Sequence, residues 1–98
     1  YIHLVDHSAQ GAPKPDQATV DGIRSAFSGA MILSGGYDAA RAEKDLVEKR
    51  GDLIAFGRPF LANPDLVKRL QTGAALNEPD PSTFYTPGAK GYTDYSSL

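Results

Sequence analysis

The sequence predicts an α/β fold built on parallel strands, and two observations support this prediction. Short apolar runs begin at residues 1, 30 and 52, and each gives way to glycine, proline or aspartate. A segment with helical spacing of its apolar residues follows each run. Regular alternation of strand and helix is typical of parallel sheets with right-handed crossover connections.

The first predicted strand is the run YIHLV, residues 1–5, which is apolar and rich in strand-forming residues. The next segment, DHSAQGAPKP, carries the residues that break regular structure and predicts a loop. A helix is predicted from Asp16, a suitable N-cap, to Phe27, because apolar residues recur there at helical spacing. Gly29 is its expected stop signal.

The run AMILS, residues 30–34, predicts the second strand. It is continuous and apolar but too short for a globular helix, which favours a parallel strand buried on both faces. A second helix is predicted from the N-cap Asp38 through Arg50, with Gly51 just beyond its C-terminal end.

The run DLIAFG, residues 52–57, predicts the third strand, and a short turn through RPFLA follows it. The segment NPDLVKRLQTG predicts a last helix, with Asn63 as N-cap, Pro64 at the first helical position and Gly73 as stop. Residues 74–98 are rich in proline, glycine and tyrosine and show no period, so they predict an irregular tail.

Composition narrows the class of protein. The chain has 98 residues and a net charge of −2, which argues against an electrostatically driven nucleic-acid binder. No apolar window approaches the length of a membrane span, so we expect a soluble, cytoplasmic protein with no membrane partner. Cysteine is absent, which excludes disulfides and thiol nucleophiles. Because the chain starts directly in an apolar strand, we expect it to be a piece of something longer.

Two glycine motifs follow the second and third predicted strands, at the edge where ligands bind in α/β proteins. Backbone N–H groups of Gly35, Gly36 and Gly57 can approach an anion closely, because glycine has no Cβ. Arg58 offers a planar fork of donors that suits phosphate. In β/α barrels the recurrent phosphate site uses the loops after strands seven and eight. The alternative is that the glycines only turn the chain and Arg58 is a solvated surface residue.

The histidines do not predict a metal or catalytic site. His3 and His7 are separated by a strand end, and no carboxylate cluster accompanies them. Neighbouring Asp6, His7 and Ser8 cannot form a catalytic relay, because successive side chains diverge. We therefore expect His3 to be a packed strand residue and His7 a loop residue.

Longer motifs go beyond fold class. The stretches YIHLVDHS, ILSGGYD, DLIAFGRPFLANPDLVKRLQTGAALN and TFYTPGAKGYTDY, in this order and spacing, closely resemble the C-terminal portion of the old yellow enzyme family, the FMN-dependent ene-reductases. The resemblance covers nearly the whole chain. It implies that residues 1–98 are the C-terminal segment of one FMN-binding (β/α)8 TIM barrel domain, about strands six to eight with their helices, and that residues 74–98 are its tail.

The resemblance also implies a site and a reaction. It implies that the phosphate of FMN is held by residues after strands seven and eight: Ser34, Gly35, Gly36, Gly57 and Arg58. It implies that Phe84 and Tyr85 line the substrate cavity, while Tyr92 and Tyr95 pack. The implied reaction is reduction of FMN by NAD(P)H and then hydride delivery to an activated alkene, such as an enone or nitroalkene. The family's catalytic residues lie upstream of the matched segment, so none is expected in this chain.

Two other functions stay open on the sequence alone. The chain is alternatively a non-catalytic half-barrel that at most binds a phosphate-bearing ligand, or part of another phosphate-binding barrel enzyme. The particular tail motif disfavours the second of these. Because three parallel strands leave open sheet edges, we expect the chain to be ordered only with the remainder of the barrel, or as a homo-oligomer.

Overall fold

The three predicted strands form one parallel sheet. A computed structural model describes residues 1–98, which divide into unit 1, Tyr1–Phe56, and unit 2, Gly57–Leu98. In unit 1 the strands are β1 (Ile2–Val5), β2 (Met31–Ser34) and β3 (Leu53–Ala55), hydrogen-bonded in the order β1-β2-β3. Helices α1 (Gln17–Ala26) and α2 (Ala39–Val47) connect them. The predicted α/β class with parallel strands is confirmed.

The two faces of this sheet differ in burial. On one face Met31 and Leu33 are buried. On the other face Ile32 is only half-buried, and Val5 and Leu53 of the neighbouring strands are exposed. The prediction that residues 30–34 are buried on both faces is therefore wrong, because no element of unit 1 covers the second face.

Helix α2 ends at Val47, three residues before the predicted end at Arg50. Lys49 has a φ of 57°, and the N–H groups of Lys49 and Arg50 donate to the carbonyls of Leu46 and Asp45. This is the Schellman arrangement that closes helices, with lysine in place of the usual glycine. Gly51, the predicted stop, is buried instead, and a Cβ there would lie 2.7 Å from Cγ of Leu33. It is a packing glycine.

Asp52 ties together the N-terminal edge of the sheet. Its carboxylate accepts two hydrogen bonds from the Arg24 guanidinium, at 2.7 and 3.1 Å, and one from the N–H of Met31 at 2.9 Å. These bonds, the arginine's first, lower the pKa of Asp52 from 3.8 to about 2. Residues at this edge of a β/α sheet serve stability rather than ligand binding.

Unit 2 contains two short helices, α3 (Arg58–Ala62) and α4 (Leu66–Thr72), and a 3-10 turn at Pro81–Thr83. Gly73 ends α4 in the left-handed conformation, as predicted. The prediction that Asn63 caps this helix is wrong, since Asp65 occupies the N-cap position. Asn63 is fully buried, and its amide group bonds to backbone atoms of Pro59 and Asn77.

Residues 77–96, which we call the tail loop, are closed at their base by side chains. Nδ2 of Asn77 donates to the carbonyl of Ser96 at 2.8 Å. Nη2 of Arg69 donates to the same carbonyl at 2.9 Å, and Nη1 donates to the carbonyl of Ala75 at 2.7 Å. Arg69 is buried and its Nε donates to Asp65 at 2.8 Å. The tail is therefore irregular in secondary structure but held at both ends.

No helix in either unit is long and apolar enough to cross a bilayer.

Candidate functional site

In unit 1 the glycine motif after β2 forms a tight backbone turn, which we call the glycine turn (Gly35, Gly36 and Tyr37). Gly35 has a φ of 111° and Gly36 a φ of 65°, both in the region that favours glycine. A Cβ on Gly35 would collide with the carbonyl oxygen of Asp6. Glycine is needed here both for the backbone conformation and for the close approach to the end of β1.

Arg41, in the first turn of α2, holds this turn from one side. Its Nη1 donates to the carbonyls of Gly35 and Gly36, at 3.0 and 3.3 Å. Its guanidinium lies 4.1 Å from the centroid of the Tyr37 ring, within cation–π distance. The Tyr37 hydroxyl in turn donates to Asp45 at 2.6 Å. The turn, the arginine and the helix therefore form one connected arrangement.

Two ionisable groups near the turn have shifted pKa values. Burial, followed by the hydrogen bond to Asp45, raises the pKa of Tyr37 to about 12. The hydrogen bonds from Ser8 lower the pKa of Asp6, and the nearby Arg41 adds to that effect. At neutral pH the tyrosine is neutral and the aspartate ionised, so neither group titrates in the range where an anion would be bound.

Ser34 was predicted to bind the cofactor, and its hydroxyl is already engaged within the sheet. The hydroxyl donates to the carbonyl of Leu4 at 3.1 Å, and Nε2 of His3 lies 3.1 Å from the same oxygen. Since the single hydroxyl proton goes to Leu4, the imidazole is the donor in the second bond. His3 is exposed on the uncovered face of the sheet, so the prediction that it is packed is wrong.

In unit 2 four of the predicted site residues line one groove of about 670 Å³, which we call the tail groove. They are Gly57, Arg58, Phe84 and Tyr85. The other lining residues are small, apolar or hydroxylated, and no carboxylate is among them: Leu61, Thr83, Thr86, Gly88, Gly91 and Tyr92. Two residues at the start of α3, Gly57 and Arg58, therefore face the same space as two aromatic residues of the tail loop, Phe84 and Tyr85. Each aromatic residue lies 27 positions after its counterpart in the sequence.

Arg58 is the cation of the tail groove. Its guanidinium lies 5.3 Å from the centroid of the Phe84 ring, and it forms no hydrogen bond or ion pair. Its charge is therefore not neutralised by the chain itself. The N–H groups of Gly57 and Arg58 also donate no hydrogen bond, because they precede the first bonded turn of α3. The arrangement presents positive charge and free donors to an anion.

The aromatic side of the groove is exposed. Phe84 and Tyr85 meet edge to face, with ring centroids 6.5 Å apart, and Tyr85 is fully exposed with a φ of 61°. Tyr92, expected to pack, is 68% exposed and lines the same groove. Tyr95 is half-buried, and its hydroxyl accepts a hydrogen bond from the N–H of Asp80 at 2.9 Å. The groove thus offers aromatic faces beside a cation.

Sequence reasoning missed the two arginines that hold these segments. Arg41 follows Tyr37 by four positions and Arg69 follows Asp65 by four, the spacing at which side chains on a helix meet. That spacing was the available signal. The contact between Asn63 and Asn77 spans 14 positions and has no local signal.

Comparisons with known proteins identify a family of similar sequences. Residues 1–77 match the model of the NADH:flavin oxidoreductase / NADH oxidase family. A 12-oxophytodienoate reductase-like protein from Solanum lycopersicum is 54% identical over 77 residues, which are 78% of this chain and 22% of that protein.

Solved structures extend the match into the tail. A structure of morphinone reductase in complex with tetrahydroNAD has 47% identity and a TM-score of 0.81, covering 98% of this chain and 26% of that one. The old yellow enzyme from Trypanosoma cruzi has 39% identity and a TM-score of 0.83, covering 98% of this chain and 25% of that one. The chain spans about a quarter of the length of these relatives.

Proposed function

The chain belongs to the NADH:flavin oxidoreductase / NADH oxidase family, and from this premise we propose that it supplies the phosphate anchor for FMN in an oxidoreductase of the old yellow enzyme type. The family match and the solved structures confirm the resemblance to old yellow enzymes that the motifs indicated. The relatives named above are reductases, which makes oxidoreductase chemistry the class to test first.

We propose that both units belong to one (β/α)8 barrel domain, with β1 to β3 as its strands six to eight and residues 74–98 as its tail. The uncovered sheet face supports this, because Val5 and Leu53 expose apolar side chains that the inside of a complete barrel would bury. The partner is then the polypeptide that carries the remaining strands. We call the chain together with that polypeptide the assembled protein.

The proposed phosphate ligands are those predicted from the sequence: Gly35, Gly36, Gly57 and Arg58, and Ser34, whose hydroxyl would have to leave its bond to Leu4 to join them. The observation that carries the proposal is the tail groove, where an unneutralised Arg58 and free N–H groups face a space without carboxylates. Such donors suit a phosphate. The exposed rings of Phe84 and Tyr85 in the same groove support their proposed place beside the substrate.

The division of labour follows from these residues. When bound, FMN would supply the hydride chemistry, with NAD(P)H as reductant and an activated alkene, an enone or a nitroalkene, as substrate. This chain would contribute binding and orientation: a cation and backbone donors for the phosphate, and aromatic faces for the substrate. It contributes no proposed catalytic residue.

The proposal is tested on the assembled protein by its flavin content and its activity. The expected result is one bound FMN per barrel, and NADH or NADPH consumption that rises when cyclohexenone or a nitroalkene is added without oxygen. Bound flavin with no alkene-dependent turnover would limit the function to another oxidoreductase reaction. An assembled protein that takes up no flavin would leave the alternative, a half-barrel that at most binds a phosphate-bearing ligand.

A further inference from the structure

We propose that Arg41 is a positioning residue that fixes the orientation of the glycine turn, so that the turn presents two backbone N–H groups to an anion. The inference rests on the proposed function, in which that anion is the phosphate of FMN. It concerns a side chain that was not among the predicted phosphate ligands.

The bonding pattern defines the orientation. Nη1 of Arg41 donates to the carbonyls of Gly35 and Gly36. In a planar trans peptide the C=O and the following N–H point in opposite directions. A guanidinium that holds these two carbonyls therefore turns the N–H groups of Gly36 and Tyr37 away from itself.

These two N–H groups are free to bind a ligand. Neither the N–H of Gly36 nor that of Tyr37 donates a hydrogen bond within the chain, and Gly36 is exposed. Consecutive free N–H groups in a turn with positive φ values form a concave site for anions.

The turn needs an external hold because glycine peptides reorient at little cost. Arg41 is itself fixed from several sides. Its backbone N–H bonds to Oδ1 of Asp38 at 2.8 Å, its guanidinium stacks on Tyr37, and its Nη2 lies 4.0 Å from Oδ2 of Asp6. Arg41, held in place on α2, therefore fixes the orientation of the peptide groups in the glycine turn, which would otherwise reorient.

Arg50 provides a matched control. Its side chain is 44% exposed, against 41% for Arg41, and lies in the same unit. It pairs only with Glu48 and Asp45, at 2.9 and 3.8 Å, and donates no hydrogen bond to the carbonyls of Gly35 and Gly36. Arg50→Met thus removes the same charge and leaves the hydrogen bonds of Arg41 to the two glycine carbonyls in place.

The test compares FMN with riboflavin, which lacks the phosphate, in titrations of the assembled protein. Arg41→Met is expected to lower the affinity for FMN about tenfold while leaving the affinity for riboflavin unchanged. Arg41→Lys, which keeps a donor able to bond to both carbonyls, should restore most of the loss, and Arg50→Met should change neither affinity. In the ligand-free protein, the amide signals of Gly36 and Tyr37 should broaden in Arg41→Met only.

Several results would overturn the inference. An unchanged ratio of FMN to riboflavin affinity in Arg41→Met would do so, as would an equal loss in Arg50→Met, which would indicate a general charge effect. If Arg41→Met also loses riboflavin and is therefore misfolded, Tyr37→Leu, which removes the ring beneath the guanidinium, must show the selective loss, and its absence overturns the inference. A wild-type protein with no preference for FMN over riboflavin would instead contradict the proposed function.

Discussion

The glycine turn of unit 1 and the tail loop of unit 2 are both irregular segments that an arginine holds by its bonds to backbone carbonyls. Arg41 holds the carbonyls of Gly35 and Gly36. Arg69 holds the carbonyl of Ser96 at the end of the tail loop and that of Ala75, two residues before its start. The arginines differ in burial, since the Arg41 side chain is 41% exposed and that of Arg69 only 5%.

This difference in burial predicts different roles for the two arginine side chains. Water can replace the bonds of an exposed arginine when it is removed, so Arg41 is expected to matter for the orientation of the turn more than for stability. The Arg69 guanidinium is itself buried, so water replaces its bonds to Asp65, Ala75 and Ser96 less readily when it is removed. We therefore expect the tail loop to need Arg69 for its folding, and the glycine turn to need Arg41 for the binding of an anion.

Arg69→Met should have the largest effect on stability. We expect a loss of about 2–4 kcal/mol in the free energy of unfolding of the assembled protein, because the carbonyl of Ala75 and the carboxylate of Asp65 lose their buried donor. Urea unfolding measures it. Lys68→Met, at an exposed neighbouring position on α4, is the control and should change little. A similarly small change in the free energy of unfolding of both variants would show that Arg69 does not stabilise the tail loop.

Gly35→Ala should have the next largest effect on stability. We expect it to lower the free energy of unfolding by about 1–3 kcal/mol, because the left-handed φ is strained for alanine and the added Cβ would collide with Asp6. Gly22→Ala in α1, where a Cβ meets nothing within 4 Å, should instead stabilise by about 0.5–1 kcal/mol. Urea midpoints of the two variants give the comparison. A lower midpoint for Gly35→Ala and a higher one for Gly22→Ala would support the close approach of Gly35 to Asp6. A shift of both midpoints in the same direction would contradict it.

The exposed ion pair of Arg24 and Asp52 should have the smallest effect on stability. It serves as a reference for the more buried pair of Arg69 and Asp65. Asp52 has a folded-state pKa of about 2 against an ordinary 3.8, so the unfolded chain takes up the proton first as pH falls. Its contribution is fully present above pH 3.8 and is lost as pH falls from 3.8 toward about 2. The urea midpoint of wild type should approach that of Asp52→Asn over this window. A constant difference between the two would contradict the lowered pKa.

Much of the fold was predictable because its signals are local. Apolar runs, helical spacing and Asp38 as N-cap predicted the parallel strands and α2, and the side chain of Asp38 does accept the N–H of Arg41. The errors arose where tertiary contacts override local preference. Lys49 adopts a conformation usually left to glycine, and Asn63 is buried among carbonyls rather than capping a helix.

The site was predictable only in part, for the same reason. Glycine motifs and the family resemblance indicated Gly35, Gly57 and Arg58 as candidates. No sequence pattern showed that the tail loop brings Phe84 to Arg58, because that contact depends on how the loop closes at Asn77 and Ser96.

The most direct test of the central claim is side-by-side titration of the assembled protein with FMN and riboflavin, in wild type and in Arg58→Ala. We expect wild type to bind FMN more tightly than riboflavin, and Arg58→Ala to lower the affinity for FMN roughly ten- to a hundredfold while the affinity for riboflavin is unchanged. Equal affinity for the two flavins in wild type, or unchanged FMN affinity in Arg58→Ala, would contradict the claim that this chain anchors the phosphate.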